Sequence, residues 1–266
     1  MPPAAGTGSG SGSIRFDRAA EFYDRTRALL PEAEQATVDL LRAELAGRGG
    51  SLEVGVGTGL ISLPLRRAGV PMIGLDLSRP MLAKLVEKAG GAIPFPLVLA
   101  DATRMPFRDD AFGAAVIRWV LHLVPEWHRL VEELVRVIGP GGTALVNLGG
   151  FKDTWVIVDR FLELAGGVPF AVGLDPRDPA ALDREFERHG APARLLPPIA
   201  THDDTTIGQL LDDIEAGMHS WTWRVPHEVR RRVGPELRTW AEGRFGSLGR
   251  PVEPDLRILW RAYDLP

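Results

Sequence analysis

The 266-residue chain contains no cysteine, which excludes disulfide frameworks, thiolate zinc sites, iron–sulfur clusters and a cysteine nucleophile. It also lacks a long apolar run. The longest, from Ala111 to Val124, is interrupted by Arg118 and His122 and is no membrane span. Charge of one sign is missing too: 31 basic against 35 acidic residues leave -4, so no whole-protein field draws nucleic acid or anionic lipid. The N-terminus lacks the basic-then-apolar pattern of a secretion signal, and the expected location is the cytoplasm. What is present is ordinary for a globular chain, 45% hydrophobic and 25% charged, enough for one large domain or a domain with a lid.

Residues 1–13 form a Gly/Ser-rich tail with nothing to bury and are expected to be disordered. Phe16, Ala19, Ala20, Phe22 and Tyr23 then have helical spacing, and Pro31 opens a helix that runs to Leu45. Strands are expected at Ser51 to Val54, Pro71 to Leu75, Phe95 to Leu99, Ala114 to Trp119 and Thr143 to Leu148. Helices at Leu60 to Ala68, Pro80 to Lys88 and Glu126 to Val137 separate them. This alternation predicts βαβ units in a parallel sheet covered on both faces, which suits the almost unbroken apolarity of the strands. After Gly149 the rhythm loosens. Helices at Asp153 to Leu164 and Pro179 to His189 precede a strand from Ala193 to Ala200. Helices at Thr206 to Ser220 and Pro226 to Phe245 precede a last strand from Leu256 to Ala262. The helical pair between those two strands reads as a lid over the strand ends.

The informative constellation is Glu53-Val54-Gly55-Val56-Gly57-Thr58-Gly59, with Asp76 and Asp101 closing the next two strands about one βα unit apart. Open parallel sheets bind ligands outside the carboxyl ends of their strands. Glycines there let backbone amides approach a ligand at a helix N-terminus. The dinucleotide fingerprint G-x-G-x-x-G is incomplete, because Leu60 stands where its last glycine falls. A carboxylate at Glu53 repels a pyrophosphate and suits an ammonium or sulfonium group. No G-x-x-x-x-G-K-[ST] is present, which argues against nucleoside triphosphate hydrolysis.

These residues resemble a known family. Leu52 to Gly59 looks like motif I of the class I S-adenosylmethionine-dependent methyltransferases, Gly74 to Ser78 like the second motif, and Ala100-Asp101-Ala102 like the third. Val116 to Val124 resembles the strand-four motif, and Val135 to Gly142 the turn before strand five. Phe22-Tyr23-Asp24-Arg25 is similar to the segment that closes over the methionine end of the cofactor in UbiE-like small-molecule members. The resemblance runs in order from Ile14 to Gly149, about half of the chain. It implies a doubly wound, Rossmann-like α/β sheet of seven strands, mostly parallel with the last antiparallel, carrying a helical lid. The sheet domain is then 14–204 together with 247–266, and the lid 205–246. The resemblance also implies S-adenosyl-L-methionine as cofactor, S-adenosyl-L-homocysteine as product, and no metal. In that frame Asp76 pairs with the ribose hydroxyls, and Asp101 bonds the adenine amino group beside the Ala102 amide. Tyr23, Arg27, Glu53, Gly55, Gly57, Thr58, Gly59, Leu77, Met81 and Arg118 complete the cofactor site, a structural role on the first helix being the other reading of Tyr23 and Arg27. Two departures stand out: Gly113, where many relatives have an acid, and Arg118-Trp119, where small or polar residues are common. The second means that the acceptor does not carry over.

Methyl transfer from a sulfonium is an in-line displacement that depends on positioning and exclusion of water. His122, just beyond the fourth strand, is the candidate base for an oxygen acceptor; its other reading is packing under the cofactor. Arg118 either holds an acidic acceptor or the cofactor's carboxylate, or pairs with a structural acid such as Asp109 or Asp110. Trp119, with His219, Trp221 and Trp223 on the lid, either lines an apolar acceptor pocket or simply packs. His128 and Glu132 have i,i+4 spacing but no third metal ligand. The function read from the sequence is therefore transfer of a methyl group to an O, N or C atom of a small molecule. It implies a monomer or homodimer, with no nucleic-acid or membrane partner. The alternatives are a non-catalytic S-adenosylmethionine-binding module, whose lid tryptophans would plug the cavity, and an NAD(P)-dependent reductase, which the loop spacing and Glu53 disfavour. A nucleic-acid methyltransferase calls for more basic surface, and no Asn-Pro-Pro-Tyr type of amine-methylating motif is present. A protein methyltransferase leaves no mark in one sequence.

Overall fold

The computed structural model describes residues 12–149 and 152–266, so residues 1–11 of the expected tail lie outside the described residues. The chain enters through a 3-10 turn at Asp17–Ala19 and a short helix α1 (Tyr23–Arg27). Helix α2 (Pro31–Leu45) follows, with Pro31 in the first turn, where a missing N–H breaks no helical bond. Next come β1 (Ser51–Val54), α3 (Ser62–Arg67), β2 (Met72–Asp76), α4 (Arg79–Lys88) and β3 (Leu97–Leu99). They are followed by β4 (Phe112–Arg118), α5 (Trp127–Val137), β5 (Ile138–Asn147), α6 (Lys152–Leu164) and α7 (Pro179–Glu187). The remaining elements are β6 (Ala193–Leu195), β7 (Ile199–Thr206), α8 (Ile207–Ala216), α9 (His227–Phe245), β8 (Pro251–Ile258) and β9 (Arg261–Asp264).

Seven strands form one sheet in the order β3-β2-β1-β4-β5-β9-β6. β1 to β5 pair in parallel, while β9 runs antiparallel to both β5 and β6. This is the doubly wound sheet with an antiparallel last strand that the resemblance implied. Strand order reverses between β1 and β4, the switch point at which such sheets take ligands.

Two of the expected strands are each divided. The strand expected from Ala193 to Ala200 stops at Leu195, because Pro197 and Pro198 have no N–H to give to a ladder, and resumes as β7. The one expected from Leu256 to Ala262 is β8 and β9, interrupted at Leu259 and Trp260. β7 and β8 leave the sheet as an antiparallel ribbon, and α8 and α9 lie between them in the chain. The N-terminal stretch read as helical from Phe16 is instead split between the 3-10 turn and α1.

The described residues form three cores. Along β4, Ala115 and Ile117 enter a core with α5 and α7, while Ala114 and Val116 enter one with α2 and α3. That alternation is the period-2 geometry of a strand covered on both faces. On α5, Trp127, Leu130, Val131, Leu134 and Val137 are all buried, a helical stripe facing the sheet. The third core joins Ile157 and Phe161 of α6, Leu210 and Ile214 of α8, Trp221, Val233 and Leu237 of α9, and Val252 of β8. It packs apart from the sheet. Gly113 is explained by close approach, since a Cβ there would lie 1.5 Å from the Arg48 carbonyl oxygen. Among the described residues, no helix is long and apolar enough to cross a membrane.

Candidate active site

A cleft of about 660 Å³, open mouth included, lies at the carboxyl ends of β1, β2 and β4. Its walls include Gly55, Gly57, Asp76, Leu77, Met81, Asp101, Ala102, Arg118 and Trp119, with Tyr23 and the segment Ser13 to Phe16 on the N-terminal side. The glycine loop is left-handed at Gly55, Gly57 and Gly59 (φ +71°, +54° and +79°), a conformation that side chains strain to adopt. At Gly55 a Cβ would also meet Val120 Cγ2 at 2.4 Å. The loop can therefore turn sharply and keep its amides open to the cleft.

Asp76 ties that loop to the end of β2. Its Oδ2 accepts the Gly57 N–H at 2.7 Å and its Oδ1 accepts the Ser78 N–H at 2.7 Å. Burial raises the Asp76 carboxyl above its ordinary value, while these amides favour the charged form. Asp101 accepts from both the backbone N–H and the hydroxyl of Thr103, at 2.9 and 2.8 Å. Each acid is thus fixed in orientation. Ser78 caps α4 by accepting the Met81 N–H, and the buried Thr58 hydroxyl donates to Asp24 of α1, joining the loop to the N-terminal segment.

Glu53 lies one layer beneath the loop, 3% exposed, and accepts a hydrogen bond from the Ser62 hydroxyl. Burial pushes its carboxyl up to about 8, although Ser62 and the Arg118 charge pull the other way. In the free protein at neutral pH, Glu53 is protonated.

Beyond Arg118 the character of the site changes from acceptors to donors. Trp119 carries a positive φ of 58°, rare for a bulky side chain, and its N–H is held by the Asn147 carbonyl at 3.0 Å. The Arg118 guanidinium lies 4.0 Å from the Trp119 ring centre, and that of Arg27 lies 5.5 Å from it. Arg27 donates to His219 Nδ1 at 2.9 Å, and Arg118 donates to the Arg27 carbonyl at 3.3 Å. Burial, with the Arg27 charge nearby, pushes the His122 imidazole down to about 4. The same causes push His219 well below its ordinary value. Both rings are neutral at physiological pH.

The structure thus brings Tyr23, Gly55, Gly57, Asp76, Leu77, Met81, Asp101, Ala102, Arg118 and Trp119 to one cleft. Arg27, Glu53, Thr58, Gly59, His122, His219, Trp221 and Trp223 are not part of its lining, although the Arg27 guanidinium lies against the ring of Trp119 in the cleft wall. Trp221 packs edge-on against Phe161 in the third core and stacks with His219 at 5.2 Å. Trp223 packs on Phe16 at 4.9 Å and donates its Nε1–H to the Gly217 carbonyl. His128 pairs with Glu185. Sequence reasoning missed Phe16, which meets both Tyr23 and Trp223, and Phe170, which stacks with His122 at 6.0 Å. Neither carries a local motif. The Ser78 cap was readable, as a serine two residues before Pro80 at a helix start.

Comparison with known proteins agrees with this geometry. Residues 52–146 match the family described as "Methyltransferase domain". A demethylmenaquinone methyltransferase of Clavibacter sepedonicus is 34% identical over 142 residues, 52% of this chain and 57% of that protein. A phosphatidylethanolamine N-methyltransferase of Cereibacter sphaeroides is 42% identical over 108 residues, 39% of this chain and 53% of that protein. The chain thus spans little more than half the length of these relatives. Among solved structures, the YcgJ protein of Bacillus subtilis superposes with a TM-score of 0.58 at 18% identity, covering 87% of this chain and 99% of that one. An S-adenosylmethionine-dependent methyltransferase of Thermotoga maritima superposes at 0.55 with 15% identity, covering 94% and 98%. Those two likenesses speak to the fold. The glycine loop, Asp76 and Asp101 all lie within residues 52–146, the stretch that is similar to the methyltransferase domain family.

Proposed function

We propose that the protein transfers a methyl group from S-adenosylmethionine to a small-molecule acceptor held between the strand ends and the helical lid. The observation that carries this reading is the cleft at the switch point, where Asp76, Asp101 and the glycine loop face one space. The donor set fits the cofactor. Two oriented carboxylates suit ribose hydroxyls and an adenine amino group, and the Ala102 amide lies beside the second. Arg118, buried at the end of β4, suits a carboxylate. Glu53 beneath the loop suits an ammonium group, whose charge favours ionising a carboxyl that burial has kept neutral.

When bound in this cleft, S-adenosylmethionine would supply an electrophilic methyl on a sulfonium, with a thioether as the leaving group. The chain's own residues orient the two reactants and exclude water, with Tyr23 and Phe16 covering the N-terminal side. His122, held neutral, takes the acceptor's proton where the methylated atom is a hydroxyl oxygen. A base this weak serves an acceptor whose proton becomes acidic as the methyl arrives. The relatives' names mention a demethylmenaquinone and phosphatidylethanolamine. The family match ends at residue 146, before α6, so it carries no acceptor over to this chain by itself.

Thermal shift with S-adenosylmethionine, S-adenosylhomocysteine and NAD tests the reading, with Asp76→Ala alongside. A ligand at a hundred times its Kd adds about 2.7 kcal/mol of stability. The expected result is stabilisation by the two sulfur ligands and not by NAD, lost in Asp76→Ala. Stabilisation by NAD alone overturns it.

A further inference from the structure

The donors around Trp119 exceed what the cofactor requires. Arg27 is half-buried and spends N–H groups on His219 Nδ1 and the Thr26 carbonyl, and Arg118 spends one on the Arg27 carbonyl. Among the described residues, neither guanidinium has a carboxylate within 4.0 Å. Asp203 and Asp213 act on Arg27 only at longer range, and the carboxyl that acts on Arg118 is Glu53, which burial keeps protonated.

His219 adds a second, independent observation. A guanidinium N–H can only donate, so Nδ1 is the acceptor and the imidazole proton sits on Nε2. That Nε2–H is buried and has no partner among the described residues. The Trp119 Nε1–H is buried without a partner in the same way. Native proteins seldom bury donors unpaired, and buried cations call for a counter-charge. One carboxylate arrives with the cofactor, and Arg118 is the arginine of this pair that lines the cofactor cleft. Arg27 and His219 remain.

We infer that the acceptor is an anion: a small molecule whose carboxylate docks on the Arg27 guanidinium and the His219 Nε2–H, with its body against the Trp119 indole. This rests on the methyl-transfer reading of the same site. Arg27 then acts as a specificity-determining residue. Its planar fork, oriented by His219 and the Trp119 ring, is suited to two-point recognition of a carboxylate.

The test titrates benzoate and its neutral isostere benzamide onto the protein saturated with S-adenosylhomocysteine, by calorimetry, for wild type, Arg27→Met and His219→Phe. Expected are binding of benzoate and not of benzamide, at least tenfold weaker benzoate binding in Arg27→Met, and a smaller loss in His219→Phe. Equal binding of benzoate and benzamide, binding of neither, or benzoate binding unchanged in Arg27→Met overturns the proposal. So does a tenfold loss of S-adenosylhomocysteine affinity in Arg27→Met with 5′-methylthioadenosine, which lacks the carboxylate, unaffected; Arg27 would then hold the cofactor. Wild type that fails to bind S-adenosylhomocysteine overturns the methyl-transfer reading instead, and benzoate titrated onto the free protein then reads the anion site by itself.

Discussion

The two sides of the site solve opposite problems with opposite means. On the cofactor side, acids are satisfied in advance. Asp76 accepts amides from Gly57 and Ser78, and Asp101 accepts two donors from Thr103, so their orientation is set before a ligand arrives. Around Trp119, the buried His219 Nε2–H and Trp119 Nε1–H have no partner among the described residues, and the guanidiniums of Arg27 and Arg118 donate to a ring nitrogen and to carbonyls rather than to a carboxylate. The first side can bind a common cofactor by backbone geometry. The second, on the proposed reading, selects a ligand of matching charge for donors that have no partner among the described residues.

Glu53 departs from the other acids of the site, because burial outweighs its hydrogen bond from the Ser62 hydroxyl and keeps it protonated. Its carboxyl titrates near 4.5 when unburied and at about 8 in the folded protein. Between those values the folded state holds the extra proton, so stability falls as pH rises through that window. Glu53→Gln keeps an acceptor for Ser62 and removes the slope, gaining on the order of 4 kcal/mol over wild type at pH 8 and little at pH 4.5. Urea unfolding at the two pH values reads this, and the same variant binds S-adenosylmethionine more weakly.

His122 gives the reverse sign on the donor side. Its ordinary value is 6.5 and its folded value about 4. The unfolded chain therefore takes up the proton first, and stability is lost as pH falls from 6.5 to 4. The wild type loses about 3 kcal/mol to this group across that window, and His122→Asn does not. His219 shifts in the same direction, so part of the acid loss persists in the variant.

Gly55→Ala tests the backbone geometry of the cofactor side. The left-handed φ and the contact with Val120 together cost about 2 kcal/mol, and Val120→Ala in the same chain recovers the steric part but not the backbone part. Chemical denaturation of the single and double variants separates them. The smallest effect belongs to Arg160→Ala on α6. Its ion pairs with Glu163 and Glu236 are partly exposed, and their loss costs about 0.5 kcal/mol by the same measurement. A much larger loss would show that the α6–α9 contact depends on charge rather than on its apolar core.

Most of the cofactor side was legible because it is local in the chain. Seven consecutive residues, Glu53 to Gly59, hold the loop, and Asp76 and Asp101 each follow from the end of a strand whose apolar run marks it. The divided strands were harder to place. Pro197 and Pro198 do mark a break, but nothing in the sequence says that the chain beyond them leaves the sheet to pair with β8. The lid tryptophans were legible as apolar side chains and not as to where they go; Trp221 lies in the third core and Trp223 on Phe16.

Short-range pattern was enough for the parallel strands, their alternation with helices, and the acids and glycines at their ends, since period, turn chemistry and strand length act over short stretches of chain. Tertiary structure alone decided the protonation of Glu53 and His122 and the meeting of Arg27 with His219, which lie 192 residues apart. Desolvation depends on what packs around a group, and a donor is left unpaired only by where every other chain segment ends up.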